Sequence, residues 1–158
     1  MFKRILVPID GSHTAGLGLD EAIKLAKNQN TSLCLFHVVD EVSILQSADV
    51  SGWMNTEGLM EAVRRDGETL LAKAEAKVRR HSVKVKSFLI ESTRGIVADL
   101  IVKQAKQCKA DLIVLGTHGR RGVRKVVMGG DAEGVVHSTT VPVLLIRSAA
   151  RSPRKMKI

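Results

Sequence analysis

The chain has 158 residues, of which 44% are hydrophobic and only 3% aromatic, with no tyrosine. This length suits one domain that buries roughly 70% of its unfolded surface, and the scarcity of aromatic rings disfavours a base-stacking platform for nucleic acids. The formal net charge is +9, but five positive charges lie within residues 147–158, which leaves +4 for the rest. Residues 148–158 are interpreted as a basic, disordered tail, and contact of this tail with nucleic acid is the less favoured alternative.

Cysteine content and hydropathy predict the compartment. Cys34 and Cys108 are too few for a disulfide framework, so both are expected to be packed, reduced thiols. The first residues enter a strand pattern at once, and nowhere are there about 18 consecutive apolar residues. These features predict a cytoplasmic, soluble protein with no membrane partner.

The first part of the chain alternates strand and helix patterns. An apolar run over residues 2–9 ends at Asp10, and Ser12 is a suitable N-cap for a helix over residues 14–28. A second strand is predicted over residues 32–39. Residues 40–56 lose periodicity and are interpreted as a long connection.

The second part continues the alternation. The elements expected here are a helix over 57–80, a lysine-bearing edge strand over 83–90, a helix opening near 93–95, a strand over 112–115, a helix over 131–137 and a last strand over 143–147. This order predicts one three-layer α/β/α domain, with a five-stranded, mostly parallel sheet and helices on both faces.

A glycine-rich, basic segment follows the strand over 112–115. Glycines stand at 116, 119, 122, 129 and 130, and the basic residues among them are Arg120, Arg121, Arg124 and Lys125. Glycine lets backbone N–H groups approach a ligand and tolerates positive φ angles. The N-terminus of the helix after Gly130 would attract an anion. The segment therefore predicts a phosphate cradle, although its basic residues could equally lie on the solvent side of a loop.

The glycine spacing resembles that of a known family. Gly116-x-x-Gly119, nine residues and then Gly129-Gly130 is similar to the G-2x-G-9x-G-(S/T) phosphate loop of the universal stress protein family. The resemblance covers nearly the whole chain through further ordered pieces, which are residues 5–12, His37-Val38, residues 110–119 and the last strand after Val141-Pro142. It implies a universal stress protein domain over residues 1–147 with an adenine nucleotide alpha hydrolase-like fold.

The resemblance also implies a ligand, ATP or another adenine nucleotide, with Mg²⁺ as an optional companion. In the family, the acid of the first loop and the valine of the second strand face ribose and adenine, while the glycine loop holds phosphates. The residues implied to bind nucleotide are Pro8, Asp10, Val38, Leu115, Gly116, Gly119, Arg120, Gly129, Gly130 and Asp131. Most follow the carboxyl ends of predicted strands, where ligands of open α/β sheets bind. Asp10 alternatively serves as a turn residue or helix-start acid.

Two residues depart from the family pattern. Gly130 stands where ATP-binding members carry Ser or Thr, and Asp131 stands where an apolar residue is usual. The departures favour an alternative function, a dimeric interaction module in which the phosphate loop is vestigial. The intact glycine spacing favours the leading hypothesis, an adenine-nucleotide-binding switch or sensor in the stress response.

The sequence offers little for catalysis or metal binding. No serine has the G-x-S-x-G setting of an activated nucleophile, and the GxxxxGK[ST] phosphate loop is absent. The histidines do not fall at a compact metal-ligand spacing. We therefore predict no catalytic residues, no protein metal site and at most weak ATP hydrolysis. A receiver-type phosphorylation domain is disfavoured because Asp10 has no acidic neighbour.

The expected partners are a second copy of the chain and an unidentified protein. The apolar terminal strand, residues 141–147, leaves an edge that can pair with another chain. Related proteins pair through their last strands, so the resemblance implies the same homodimer.

Overall fold

A computed structural model describes residues 1–47, 56–93, 96–117 and 128–148. Its elements, in chain order, are β1 (Arg4–Pro8), α1 (His13–Ala26), β2 (Ser32–Asp40), α2 (Glu41–Ser47), α3 (Thr56–Arg79), β3 (Lys84–Ser92), α4 (Val97–Cys108), β4 (Leu112–Gly116), α5 (Gly130–Ser138) and β5 (Val143–Ile146). The five predicted strands are all present, and their bounds agree within a few residues.

The strands form one sheet in the order β3-β2-β1-β4-β5, and every neighbouring pair is parallel. The predicted α/β fold class is confirmed, and β3 lies at an edge as its lysines indicated. The chain runs outward from β1 to β3 and then returns to β4 on the other side of β1. The strand order therefore reverses between β1 and β4, the place where ligands of such sheets bind.

Two hydrophobic layers cover the sheet. On one face, residues such as Ile5, Val7 and Leu35 pack beneath α1 and α3. On the other, residues such as Leu6 and Phe36 pack beneath α4 and α5. The interior strands are buried on both faces, which explains why they form continuous apolar runs in the sequence.

Two expectations were wrong. Residues 41–47 form the short helix α2 inside the predicted irregular connection. Cys34 and Cys108 were expected to be separate reduced thiols, whereas the structure joins their Sγ atoms in a disulfide between β2 and the end of α4. Cys34 is nevertheless packed as expected, and the pairing arises because α4 lies over β2 in the second hydrophobic layer.

Part of the predicted organisation is not covered. Residues 48–55, 94–95 and the basic tail from residue 149 onward lie outside the described residues. Within the described part, no helix is both long and apolar enough to cross a membrane.

Candidate functional site

The predicted site lies at the carboxyl edge of the sheet, where the strand order reverses. β1 ends at Pro8 and its neighbour β4 ends at Gly116. The helix α1 starts just beyond β1, and α5 starts after the loop that follows β4. Two helix N-termini therefore belong to the connections at this edge, and each adds backbone N–H groups and partial positive charge.

The turn between β1 and α1 fixes Asp10. Its Oδ1 accepts a hydrogen bond from the Ser12 N–H at 2.8 Å, and Gly11 has a φ angle of +81° that favours glycine. Ser12 then caps α1 by accepting from the Ala15 N–H at 3.2 Å. Asp10 thus has the predicted alternative role of a turn residue. A carboxylate has about four acceptor positions, so this role is compatible with contact to a ligand.

Gly116 is required by packing. A Cβ at this position would lie 2.8 Å from the Thr14 carbonyl carbon and 2.9 Å from the Ala15 nitrogen. Both are backbone atoms of the first turn of α1, so they cannot move aside cheaply. The sequence explained this glycine by ligand approach and positive φ, whereas the structure attributes it to contact between β4 and α1.

Backbone hydrogen bonds connect the two described ends of the glycine-rich segment, Thr117 and Gly129. The Gly129 N–H donates to the Thr117 carbonyl oxygen at 2.8 Å, and the Thr117 N–H donates to the Ile146 carbonyl oxygen at 2.9 Å. Thr117 therefore joins the end of β4, the end of β5 and the start of α5. Gly129 is the N-cap of α5, with φ −63°, so positive φ, one of the two alternative reasons for glycine, does not apply at this position.

The first turn of α5 is open and acidic. Among the described residues, no atom would lie within 4 Å of a Cβ at Gly130, and the N-cap residue Gly129 has no side chain that could cap the helix. Asp131 and Glu133 both lie in this turn and are exposed. Their carboxylates favour the positive end of the helix dipole, and they also repel an anion placed there.

The remaining predicted residues differ in which of their atoms a ligand could contact. Pro8 and Val38 are half-buried at the ends of β1 and β2. Leu115 is 6% exposed and packs in the core, so a ligand could meet only its backbone. Gly119 and Arg120, with the other basic residues of the loop, lie outside the described residues.

A small acidic cavity of about 160 Å³ lies at the same edge, beside the ends of β2 and β3. Four carboxylates line it with one cation, Arg64, whose Nε is 3.1 Å from Glu91 Oε1. Among the described residues, no group of three or more His, Cys, Asp or Glu side chains could hold a metal ion. The edge is thus acidic near β3 and offers helix N-termini near β1 and β4.

Sequence reasoning missed two contacts that shape this edge. His37 Nδ1 donates to the Ile9 carbonyl oxygen at 2.6 Å, and Thr14 lies against the position that a Cβ of residue 116 would occupy. Both contacts are non-local. The one signal for His37 was its position beside Val38 at the end of an apolar strand.

Comparison with known proteins gives consistent matches along the chain. The model of the universal stress protein family matches residues 1–147. Universal stress protein MJ0531 of Methanocaldococcus jannaschii is 30% identical over 147 residues, covering 93% of this chain and 83% of the relative. The structure of MJ0577, from the same organism, superposes with a TM-score of 0.81 at 25% identity and covers 95% of this chain and 99% of its own.

Two more distant structures share the fold and contain nucleotides. A universal stress protein in complex with cAMP has a TM-score of 0.64 at 18% identity, with 92% of this chain and 97% of the other covered. The Archaeoglobus fulgidus universal stress protein in complex with dAMP has a TM-score of 0.63 at 21% identity, with 91% and 97% covered.

Proposed function

The chain belongs to the universal stress protein family, and from that membership we propose that it binds an adenine nucleotide as a switch or sensor in the stress response. The proposed site spans the carboxyl ends of β1, β2 and β4. Nucleotide acts there as a ligand, and we assign no hydrolytic step to the chain.

One observation carries the proposal, namely the closure of the glycine loop at the strand-order reversal. The Gly129 N–H to Thr117 carbonyl bond brings the start of α5 to the end of β4, and Gly116 packs on the first turn of α1. Phosphate groups are stabilised at helix N-termini by unpaired N–H donors and the helix dipole. Gly116 and Gly129, two glycines of the predicted phosphate-binding spacing, therefore lie beside the N-termini of α1 and α5 respectively.

The charges at the edge orient the ligand. The cavity beside β3 has four carboxylates and disfavours phosphate. The start of α5 has two carboxylates but also the N–H donors and positive dipole end of a helix, so the phosphates lie towards α5 and the base lies towards Val38. Asp10 then stands between them, where its carboxylate can accept hydrogen bonds from ribose hydroxyl groups.

Proteins of the same fold have been solved in complex with cAMP and with dAMP, and we propose that this chain prefers ligands with one phosphate. The acidic first turn of α5 supports the same preference, because each additional phosphate brings more negative charge towards Asp131 and Glu133. For ATP, a divalent cation such as Mg²⁺ would offset part of this repulsion.

The second candidate function is the dimeric interaction module without nucleotide. It is favoured by one observation, the pair of exposed carboxylates at the start of α5 where a phosphate would otherwise bind. The two candidates differ in whether any nucleotide stabilises the fold.

Thermal unfolding with added nucleotide tests the proposal. A ligand at 100 times its dissociation constant stabilises the folded state by about 2.7 kcal/mol, which raises Tm by roughly 5–10 °C in a domain of this size. We expect AMP to raise Tm and GMP, at equal concentration, to raise it less.

A charge-matched pair of variants makes the test specific. Asp10→Asn retains the acceptor for the Ser12 N–H but removes the charge, and we expect about tenfold weaker binding of AMP. Asp20→Asn removes the same charge further along α1, where Asp20 pairs with Lys77 at the surface, and should bind AMP as the wild type does. An unchanged Tm on addition of either AMP or GMP would favour the interaction module.

A further inference from the structure

His37 is the one buried histidine among the described residues, at 7% exposure on β2. Its Nδ1 lies 2.6 Å from the Ile9 carbonyl oxygen. A carbonyl oxygen can only accept, so Nδ1 carries the proton of this hydrogen bond. The bond links β2 to the residue that directly precedes Asp10.

This contact stands where the backbone pairing of β1 and β2 ends. The Ile9 N–H donates to the Phe36 carbonyl oxygen at 2.7 Å. In a parallel ladder, the Ile9 carbonyl would next accept from the N–H of Val38. Here the carbonyl accepts from the His37 ring, and no backbone hydrogen bond from Val38 to Ile9 is present in the described part of the chain. The ring thus ends the ladder one bond early, at the edge where the base is proposed to bind.

The helix α3 holds the ring in place. A Cβ at Gly67 would lie 2.7 Å from His37 Cδ2 and 3.0 Å from its Nε2. Glycine at 67 therefore provides the space that the ring occupies, and the close contact limits the ring to the orientation that reaches Ile9. Glycine is disfavoured within a helix relative to alanine, so helix propensity alone does not explain glycine at this position.

The orientation of the Ile9 carbonyl affects Asp10 directly. The Ile9 carbonyl and the Asp10 nitrogen share one planar peptide group. Fixing that plane restricts the direction in which the chain enters the turn of Asp10, Gly11 and Ser12. That turn presents the carboxylate which we propose contacts the ribose.

We propose that His37 is a positioning residue for nucleotide binding. Its ring holds the Ile9 carbonyl, sets the Asp10 turn and keeps the Val38 backbone amide out of the β1–β2 ladder. The inference rests on the proposed function for its ligand, although its structural part concerns the free protein.

A rescue series separates positioning from general stability. His37→Leu removes the donor, and we expect AMP affinity to fall by about tenfold or more. His37→Asn places an amide N–H at the position of Nδ1 and should recover most of that loss. Thr31→Val is the matched control, since Thr31 is 4% exposed and its Oγ1 donates to the Phe2 carbonyl oxygen at 2.6 Å, at the opposite end of the same strands.

Thr31→Val removes a partly buried hydrogen bond of the same length between the segments that begin β1 and β2, so it should lower Tm without weakening AMP binding. If His37→Leu does not fold, Gly67→Ala provides the second route, because its Cβ displaces the ring and should also weaken AMP binding. The proposal is overturned if His37→Leu and Thr31→Val affect AMP affinity equally, or if His37→Asn restores nothing.

Hydrogen exchange in the ligand-free protein tests the positioning independently. The Ser12 N–H, bonded to Asp10 Oδ1, should exchange faster in His37→Leu than in wild type and should be unchanged in Thr31→Val. If the wild type binds no nucleotide, the proposed function is refuted, but the exchange experiment still tests whether His37 positions the Asp10 turn. Unchanged exchange at Ser12 in His37→Leu would refute the role of His37.

Discussion

Two glycines of the same motif answer different physical needs. An added Cβ at Gly116 would lie within 3 Å of backbone atoms of Thr14 and Ala15, whereas one at Gly130 would have no atom of the described residues within 4 Å. The first is therefore needed for the fold, and the second leaves room for a side chain such as the family's serine or threonine. A shared motif spacing does not imply a shared reason for each glycine.

We predict that Gly116→Ala destabilises the protein by roughly 1–3 kcal/mol, because the added methyl group overpacks against backbone. Gly130→Ala should change stability by less than about 0.5 kcal/mol, as surface substitutions usually do. Urea unfolding of the two variants measures both values. Similar midpoints for the two would show that β4 and α1 do not pack as closely as described.

The double variant Gly130→Ser, Asp131→Val should bind ATP more tightly than wild type. The serine restores a hydroxyl donor and the valine removes a carboxylate from the first turn of α5, and each change is worth about 1–3 kcal/mol beside a charged phosphate. Titration with ATP should show a gain of at least about tenfold, with a smaller gain for AMP.

A single variant separates the effects of the two changes. Gly130→Ser alone isolates the hydroxyl, since its side chain enters open space. Equal ATP affinity in all three proteins would mean that the Asp131 carboxylate points away from the phosphates and that backbone donors hold them.

At the scale of elements, a covalent bond joins the sheet to one helix. The disulfide of Cys34 and Cys108 connects β2 to the end of α4 across 74 residues of sequence. Gln104 adds a contact from the preceding turn of α4, with its Nε2 3.2 Å from Cys108 Sγ. Reduction therefore releases a constraint on the second hydrophobic layer.

We expect the oxidised protein to contain no titratable thiol after denaturation. Treatment with dithiothreitol should lower its Tm. A loop of this length predicts a stability contribution of about 4 kcal/mol. The Cys34→Ala, Cys108→Ala variant is the control and should unfold at the same temperature with and without the reductant. Two free thiols per chain, measured after purification without reductant, would contradict the pairing.

For the whole molecule, we propose the homodimer through the last strand. The backbone groups of the even-numbered residues in and just before β5 point towards β4. The Ile146 carbonyl oxygen accepts from the Thr117 N–H, and the Pro142 carbonyl oxygen accepts from the Ile113 N–H, each at 2.9 Å. Strand alternation then points the N–H and carbonyl groups of Leu145 towards the free edge. An unpaired edge of this kind is a template for pairing with a second chain.

The dimer can be tested by removing one edge donor. Leu145→Pro deletes an outward N–H while leaving the bonds to β4, so we expect a monomer by sedimentation at micromolar concentration. Leu145→Ala removes comparable side-chain burial but keeps the N–H, and it should remain dimeric. A monomeric wild type, or dimers in both variants, would contradict pairing through this edge.

The sequence predicts those features of this fold that depend on local pattern. The buried strands appear as apolar runs, Ser12 was identified as an N-cap, and the lysines of β3 indicated an edge. The features that it failed to predict are non-local or short. Three contacts, Cys34 with Cys108, Gly116 with Thr14 and His37 with Ile9, form only when the sheet has assembled. The periodicity of the sequence does not indicate such contacts.

The candidate site shows the same division. The family motif places Asp10, Val38 and Gly129 at the edge where the strand order reverses, and the structure has them there. The sequence does not indicate that α2 follows β2 directly, because seven residues provide too few turns for a helical period to be evident. Nucleotide contact by the predicted residues stays a prediction.

Calorimetric titration of the dialysed wild-type protein tests the central claim most directly. AMP, ADP and ATP would each be titrated, the last with and without Mg²⁺, and Asp10→Asn would serve as the matched variant. We predict saturable binding of one AMP per chain, with ATP no tighter than AMP unless Mg²⁺ is present, and weaker binding in Asp10→Asn. Absence of saturable binding by any of the three at millimolar concentration would contradict the assignment of an adenine-nucleotide site.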